Sequence, residues 1–175
     1  EGGWDPYLEM QESLWLLHWA LVSAPSQASA WRFVFTEYSE QEFTTDQVLA
    51  ALAAHVARLF PAARLAPSSL RKDVTCIVRM YANRRDDDGF TEDTIQSPFA
   101  ELGLIRVMDR DAFRFDVGEK PSLPAEVVVK ACLDYAAETS PGVQTLPVSR
   151  LLLGSGSPGM AFRLAESALC MAIEE

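Results

Sequence analysis

Residues 13–22 read SLWLLHWALV, a stretch in which only Ser13 and His18 are polar. A helix carrying leucine, tryptophan and valine around its whole circumference cannot lie half in water, so this segment predicts a helix buried on every side. Such a helix needs neighbours on all faces and therefore a chain long enough to wrap it. With 175 residues, 49% hydrophobic and 23% charged, the chain has material for one medium domain or two small winged-helix-sized ones. Ten prolines, nine glycines and the lack of any apolar run near 18 residues exclude collagen-like, low-complexity and transmembrane readings. No membrane partner is expected.

The cysteines, Cys76, Cys132 and Cys170, are odd in number and far apart, which fits neither a disulfide framework nor a paired-cysteine metal site. His18 and His55 are the only histidines and stand outside ligand spacing, so no structural metal and no cofactor is expected in this fragment. The opening at Glu1, without methionine or signal-type segment, reads as a cytoplasmic protein that lacks an upstream part.

Periodicity makes the remainder mainly helical. Residues 30–38 (AWRFVFTEY) read as helix in preference to strand. Thr44 offers an N-cap to a helix in which Val48, Leu49, Leu52, Val56 and Leu59 keep helical spacing until Pro61. Pro67 starts another, with Leu70, Val74, Ile77, Val78 and Tyr81 on one face. A loop at 84–89 follows, then a short helix from Pro98 closed by Gly103. Leu104–Met108 and Phe113–Val117 read as a β-hairpin. Helices are expected at 124–139, with Val127, Val128, Ala131, Leu133 and Tyr135 inward, at 147–153, and in one run over 160–173. The fold class is mainly α, a helical domain with a small winged-helix-like β-hairpin. It spans 1–175 as one domain, divisible into a helical 1–66 and a winged-helix-like 67–175 with C-terminal helices.

The formal charge of −10 argues against nucleic acid until its distribution is read. Residues 64–85 hold six bases and one acid, whereas 1–63 hold two bases and eight acids, and 86–175 hold seven and sixteen. Exposed charges more than about 8–10 Å apart are screened at physiological salt, so a local basic surface can persist on an acidic molecule.

Five segments carry a family resemblance: GWDPYLE (3–9) with SLWLLHW (13–19), SLRKDVTCIVRMY (69–81), EDT with SP and LGLI (92–105), and SPGMAFRL (157–164). They resemble the C-terminal part of the bacterial SspB-like family. This family is formally of unknown function and is encoded beside PAPS-reductase-like proteins in DNA phosphorothioation and phage-defence clusters. The family also has an N-terminal domain, which nothing here resembles. The resemblance implies a DNA-binding and DNA-nicking component, a nickase in its full-length context, for which Mg2+ or Mn2+ would serve. Its implied partners are DNA, the PAPS-reductase-like and ATPase components, and a cysteine desulfurase. The rival reading is a non-catalytic interaction module that docks those sulfur-transfer partners through its acidic faces.

Lys72 and Arg79, seven residues apart, share one helix face and can follow a phosphate backbone, with Arg71, Arg84 and Arg85 extending that surface. The bland alternative is a solvated face balanced by Asp73 or the acidic loop. The hairpin is either a DNA wing using Arg106, Arg110 and Arg114, or an edge hairpin made nearly neutral by Asp109, Asp111 and Asp116. Ser155 and Ser157 at a helix start, with Arg163 one turn in, form a phosphate-contact candidate that lacks the P-loop order; the alternative is a capped turn. Asp86, Asp88, Glu92 and Asp93 fail the spacing of a calcium loop. His18 reads as a core histidine with one nitrogen hydrogen-bonded.

Overall fold

The computed structural model describes residues 5, 10–23, 29–62, 66–83 and 97–174. They form two compact units, a terminal one from residues 1–37 and 117–175 and a central one from residues 38–116. The expected subdivision after residue 66 falls within the central unit. Among the described residues no helix is long and apolar enough to cross a membrane.

In the terminal unit the apolar stretch forms α1 (Gln11–Ser23). Leu14, Trp15, His18, Trp19 and Val22 are buried, but Leu17 is 42% exposed, so burial covers one broad face and not the whole circumference. α2 (Ser29–Arg32) widens directly into a π-helical turn, Phe33–Glu37. The expected helix is present, but its second half is π. A wider turn frees backbone groups, and here two are taken up from the other end of the chain. Val34 O accepts from Arg163 Nη2 at 2.7 Å and Thr36 O from the Gly156 N–H at 3.3 Å.

α5 (Ala125–Thr139) packs on α1, α8 (Glu166–Glu174) and α7 (Pro158–Phe162), while α6 (Val148–Leu153) lies against α7 and α8. The inward set on α5 is Val127, Val128, Ala131, Cys132 and Tyr135; Leu133, expected inside, is 66% exposed. The single helix expected over 160–173 is broken at Arg163, whose φ of 53° is left-handed and ends α7. Gly159 lets α7 press onto α6, since a Cβ there would fall 2.5 Å from the Leu152 backbone. Two tryptophan N–H groups are satisfied within the packing, Trp15 donating to Ser122 Oγ at 3.2 Å and Trp19 to Asp134 Oδ2 at 3.0 Å, whereas the buried Trp31 Nε1 finds no partner among the described residues.

The central unit holds a four-stranded sheet in the order β1-β4-β3-β2, with β1 (Glu42–Phe43), β2 (Ala82–Asn83), β3 (Ile105–Asp109) and β4 (Ala112–Phe115). β4 runs antiparallel to β1 and β3, while β2 is parallel to β3. The hairpin was legible in sequence; the two-residue strands flanking it were too short for any alternation to show. Phe43, Phe113, Ile105 and Phe115 occupy the buried face. α3 (Thr45–Leu59) starts at a complete capping box, with Thr44 Oγ1 accepting from the Gln47 N–H at 3.2 Å and Gln47 Oε1 from the Thr44 N–H at 2.8 Å. α4 (Pro67–Tyr81) begins on its proline and runs into β2. A 3-10 turn, Pro98–Leu102, ends at Gly103, whose φ of 61° favours a residue without Cβ.

Candidate nucleic-acid interface

α4 is held by one face. Val74, Ile77 and Tyr81 are buried, and the Tyr81 ring lies 5.3 Å from that of Phe99. Burial pushes the Tyr81 hydroxyl well above its ordinary range. Those anchors turn Arg71, Lys72, Thr75, Cys76 and Arg79 to solvent. Seven residues at 1.5 Å per residue separate Lys72 from Arg79 by about 10 Å along one face. Neither makes an ion pair with any described residue.

Arg71 differs from both. Its Nη1 lies 3.1 Å from Asp46 Oδ1 in the first turn of α3, 25 residues back in the chain. Sequence reasoning looked to Asp73 or the acidic loop as the balancing acid, because no local pattern links residues so far apart. The pair is exposed on both sides, so its contribution to stability is about 0–1 kcal/mol. Between α3 and α4 opens a groove of about 420 Å3 lined by Leu49, Ala53, Val56, Pro67 and Leu70, with Asp46 and Arg71 among its polar lining.

Arg84 and Arg85 lie outside the described residues, as do Asp86, Asp88, Glu92 and Asp93. The phosphate-contact candidates Ser155, Ser157 and Arg163 belong to the terminal unit and are not brought to one surface. Ser155 is exposed, Ser157 is fully buried, and the Ser157 hydroxyl caps α7 by accepting from the Met160 N–H at 3.3 Å. Arg163 is 5% exposed, and burial pulls its guanidinium down to about 9. Its donation to Val34 O makes it a strut between α7 and the π turn. Its apolar neighbours did not mark it as a core residue, since an arginine inside SPGMAFRL reads first as a surface cation.

His18 is fully buried, with Nε2 donating to Ala161 O at 3.0 Å and its ring edge-on to Phe35 at 4.9 Å. Desolvation lowers its pKa to about 4, the hydrogen bond to Ala161 opposes this, and the nearby Arg163 charge lowers it further. The imidazole is neutral at pH 7, as a core histidine should be. All three cysteines are free, and burial pushes the Cys132 thiol up to about 11. Among the described residues no group of three or more His, Cys, Asp or Glu side chains converges as a metal site would require.

The comparisons with known proteins agree with this architecture. The family described as a protein of unknown function (DUF4007) matches residues 1–175. Two solved structures are similar. An SspB crystal structure shares 38% identity over 98% of this chain with a TM-score of 0.85, and a magnesium ion-bound SspB structure shares 36% over 97% with a TM-score of 0.82. This chain covers 51% of each of those chains, about half their length. No curated protein matches it. One relative binds magnesium, yet the described residues present no converging donor set for such an ion, and no chemical step through one follows from them. The helical architecture, the hairpin and the resemblance of the five segments meet in one conclusion: the chain is SspB-like and belongs to the DUF4007 family.

Proposed function

We propose that this chain is a DNA-binding part of a bacterial DNA phosphorothioation and anti-phage defence system, contacting the backbone of duplex DNA through α4. The observation that carries the reading is the row of Lys72 and Arg79 on the solvent face of a helix whose other face is locked into the core. Cations so placed follow successive phosphates without needing a base-specific contact. The order α3, α4 and hairpin, with β1 pairing β4, supports a winged-helix reading of the central unit. The likeness to SspB supports the choice of system.

Strand nicking, with Mg2+ or Mn2+, belongs in this reading to a longer protein of which such a chain forms a part. The cysteine desulfurase, the PAPS-reductase-like protein and the ATPase of the system are its expected partners. A second reading, a docking module for those partners, draws on the terminal unit, where Leu133 and Leu153 stand exposed and Glu126 and Asp134 are exposed acids.

The test is a gel shift on duplex DNA at two salt concentrations, run beside a supercoiled-plasmid nicking assay with and without Mg2+ or Mn2+. Salt-sensitive binding that falls in Lys72→Ala/Arg79→Ala is the expected result. Unchanged affinity in that double variant overturns the role of α4. Capture of the sulfur-transfer partners by a chain that binds no DNA selects the docking reading.

A further inference from the structure

By formal count the hairpin is neutral, since Asp109, Asp111 and Asp116 alternate with Arg106, Arg110 and Arg114. Its geometry does not treat the two signs alike. Every acid is engaged by the protein itself. Asp109 Oδ1 accepts from the Arg110 backbone N–H at 2.7 Å, Asp111 Oδ1 from the Thr45 hydroxyl at 2.6 Å, and Asp116 Oδ2 from Arg106 Nη2 at 2.7 Å. Arg106 is therefore committed to Asp116. The Arg110 and Arg114 guanidinium groups stand exposed, with no ion pair to any described residue.

The sheet register explains Arg114. It lies directly across from Arg106 on β3 and Glu42 on β1, while Phe113 and Phe115 on either side of it are buried. Alternation thus sends Arg114 to the solvent face beside a second arginine. Like charges directly opposite across two strands are unfavourable; Asp116 pairs with Arg106, whereas Glu42, across from Arg114 on β1, forms no ion pair with it. An arginine in such a place is one that a bound anion would stabilise.

The hairpin is also moored beside α4. Thr45, which holds Asp111 of the turn, opens α3, and the next residue, Asp46, holds Arg71 of α4. The hairpin turn carrying Arg110 and the turn of α4 carrying Lys72 are thereby tied to the same first turn of α3.

We infer that the hairpin is a second phosphate-contacting element, in which Arg110 and Arg114 hold the backbone of the same DNA duplex that α4 engages. This inference rests on the DNA-binding reading of α4. What weighs against the neutral-hairpin expectation is that each acid is engaged within the protein while Arg110 and Arg114 stand exposed without an ion pair to any described residue.

The experiment measures the affinity of the whole chain for a fluorescent duplex across a salt series. The variants are Arg110→Gln/Arg114→Gln, Lys72→Ala/Arg79→Ala, the charge-balanced Arg106→Gln/Asp116→Asn, and Arg58→Gln near the far end of α3, about 20 Å along it. The hairpin double variant should bind about tenfold more weakly at 0.15 M salt and lose about two units of salt slope. The Arg106/Asp116 and Arg58 variants should stay within about twofold of the parent, because neither removes a phosphate contact. Full affinity and slope in the hairpin variant, beside weak binding by the α4 variant, overturns this inference and leaves the reading of α4 standing. A loss from Arg58→Gln as large per charge removed also overturns it, since net charge alone would then account for the effect. Absence of binding by the unmodified chain removes both readings together.

Discussion

Arg163 in the terminal unit and Arg79 in the central unit both belong to helical segments rich in apolar residues, yet they have opposite fates. Arg163 sits at a left-handed break between two short helices, is 5% exposed, and donates at 2.7 Å to a carbonyl of the π turn. Arg79 lies on an uninterrupted helix whose apolar positions fall on the other face, and it projects into water. The comparison teaches that backbone geometry assigns a cation its role. Where the helix breaks, the side chain turns inward and becomes structural. Where the period of 3.6 continues, the same residue type is left available to a partner.

The largest test of that contrast is Arg163→Ala. Truncation leaves Val34 O without this donor, opens a cavity, and still asks a residue with a Cβ to hold φ near 53°. Urea unfolding should show a loss of about 2 kcal/mol, the range for a buried acceptor left unpaired beside a new cavity. The matching change in the central unit, Lys72→Ala/Arg79→Ala, should move stability by no more than about 0.5 kcal/mol. Comparable losses in both variants would erase the distinction between the units.

Comparable in size is an acid dependence confined to the terminal unit. His18 resists protonation until about pH 4 when folded, but in the unfolded chain it titrates near its ordinary value of 6.5. Between those values the unfolded state binds a proton that the folded state refuses. Stability from this group is therefore present above pH 6.5 and is lost as pH falls toward about 4, with a ceiling of about 3 kcal/mol. Urea midpoints at pH 7 and pH 5 should separate clearly for the parent chain. They should converge in His18→Gln, where the amide can still donate to Ala161 O. An unchanged gap in that variant would assign the acid sensitivity to other groups.

What could be read from sequence followed the same division. α3 and α4 were legible to within a residue, because Thr44, Pro61 and Pro67 punctuate strong periodic patterns. The candidate cations on α4 were legible for the same reason. Arg163 was not, since a left-handed residue inside an apolar run leaves no local mark, and the helix expected over 160–173 is broken at that residue. The state of the hairpin was equally hidden. Its charges can be counted in the sequence, but which of them the fold consumes depends on Thr45, about 66 positions away along the chain.

The smallest effect comes from the pair that stands between the two extremes. Arg71 shares the exposed side of α4 with Lys72 and Arg79 but is tied to Asp46 at 3.1 Å. Because both partners are exposed, Asp46→Asn should cost under about 1 kcal/mol of stability, which a double-mutant cycle with Arg71→Ala can resolve. Its effect on binding should have the opposite sign. Without the carboxylate, Arg71 joins the free cations of α4, and DNA affinity should rise about threefold with a salt slope steeper by about one unit. That gain should vanish when Arg71 is also replaced. Were Asp46→Asn to weaken binding, the ion pair would be acting to position Arg71 for the phosphate, and the boundary between structural and available cations would run through the pair itself.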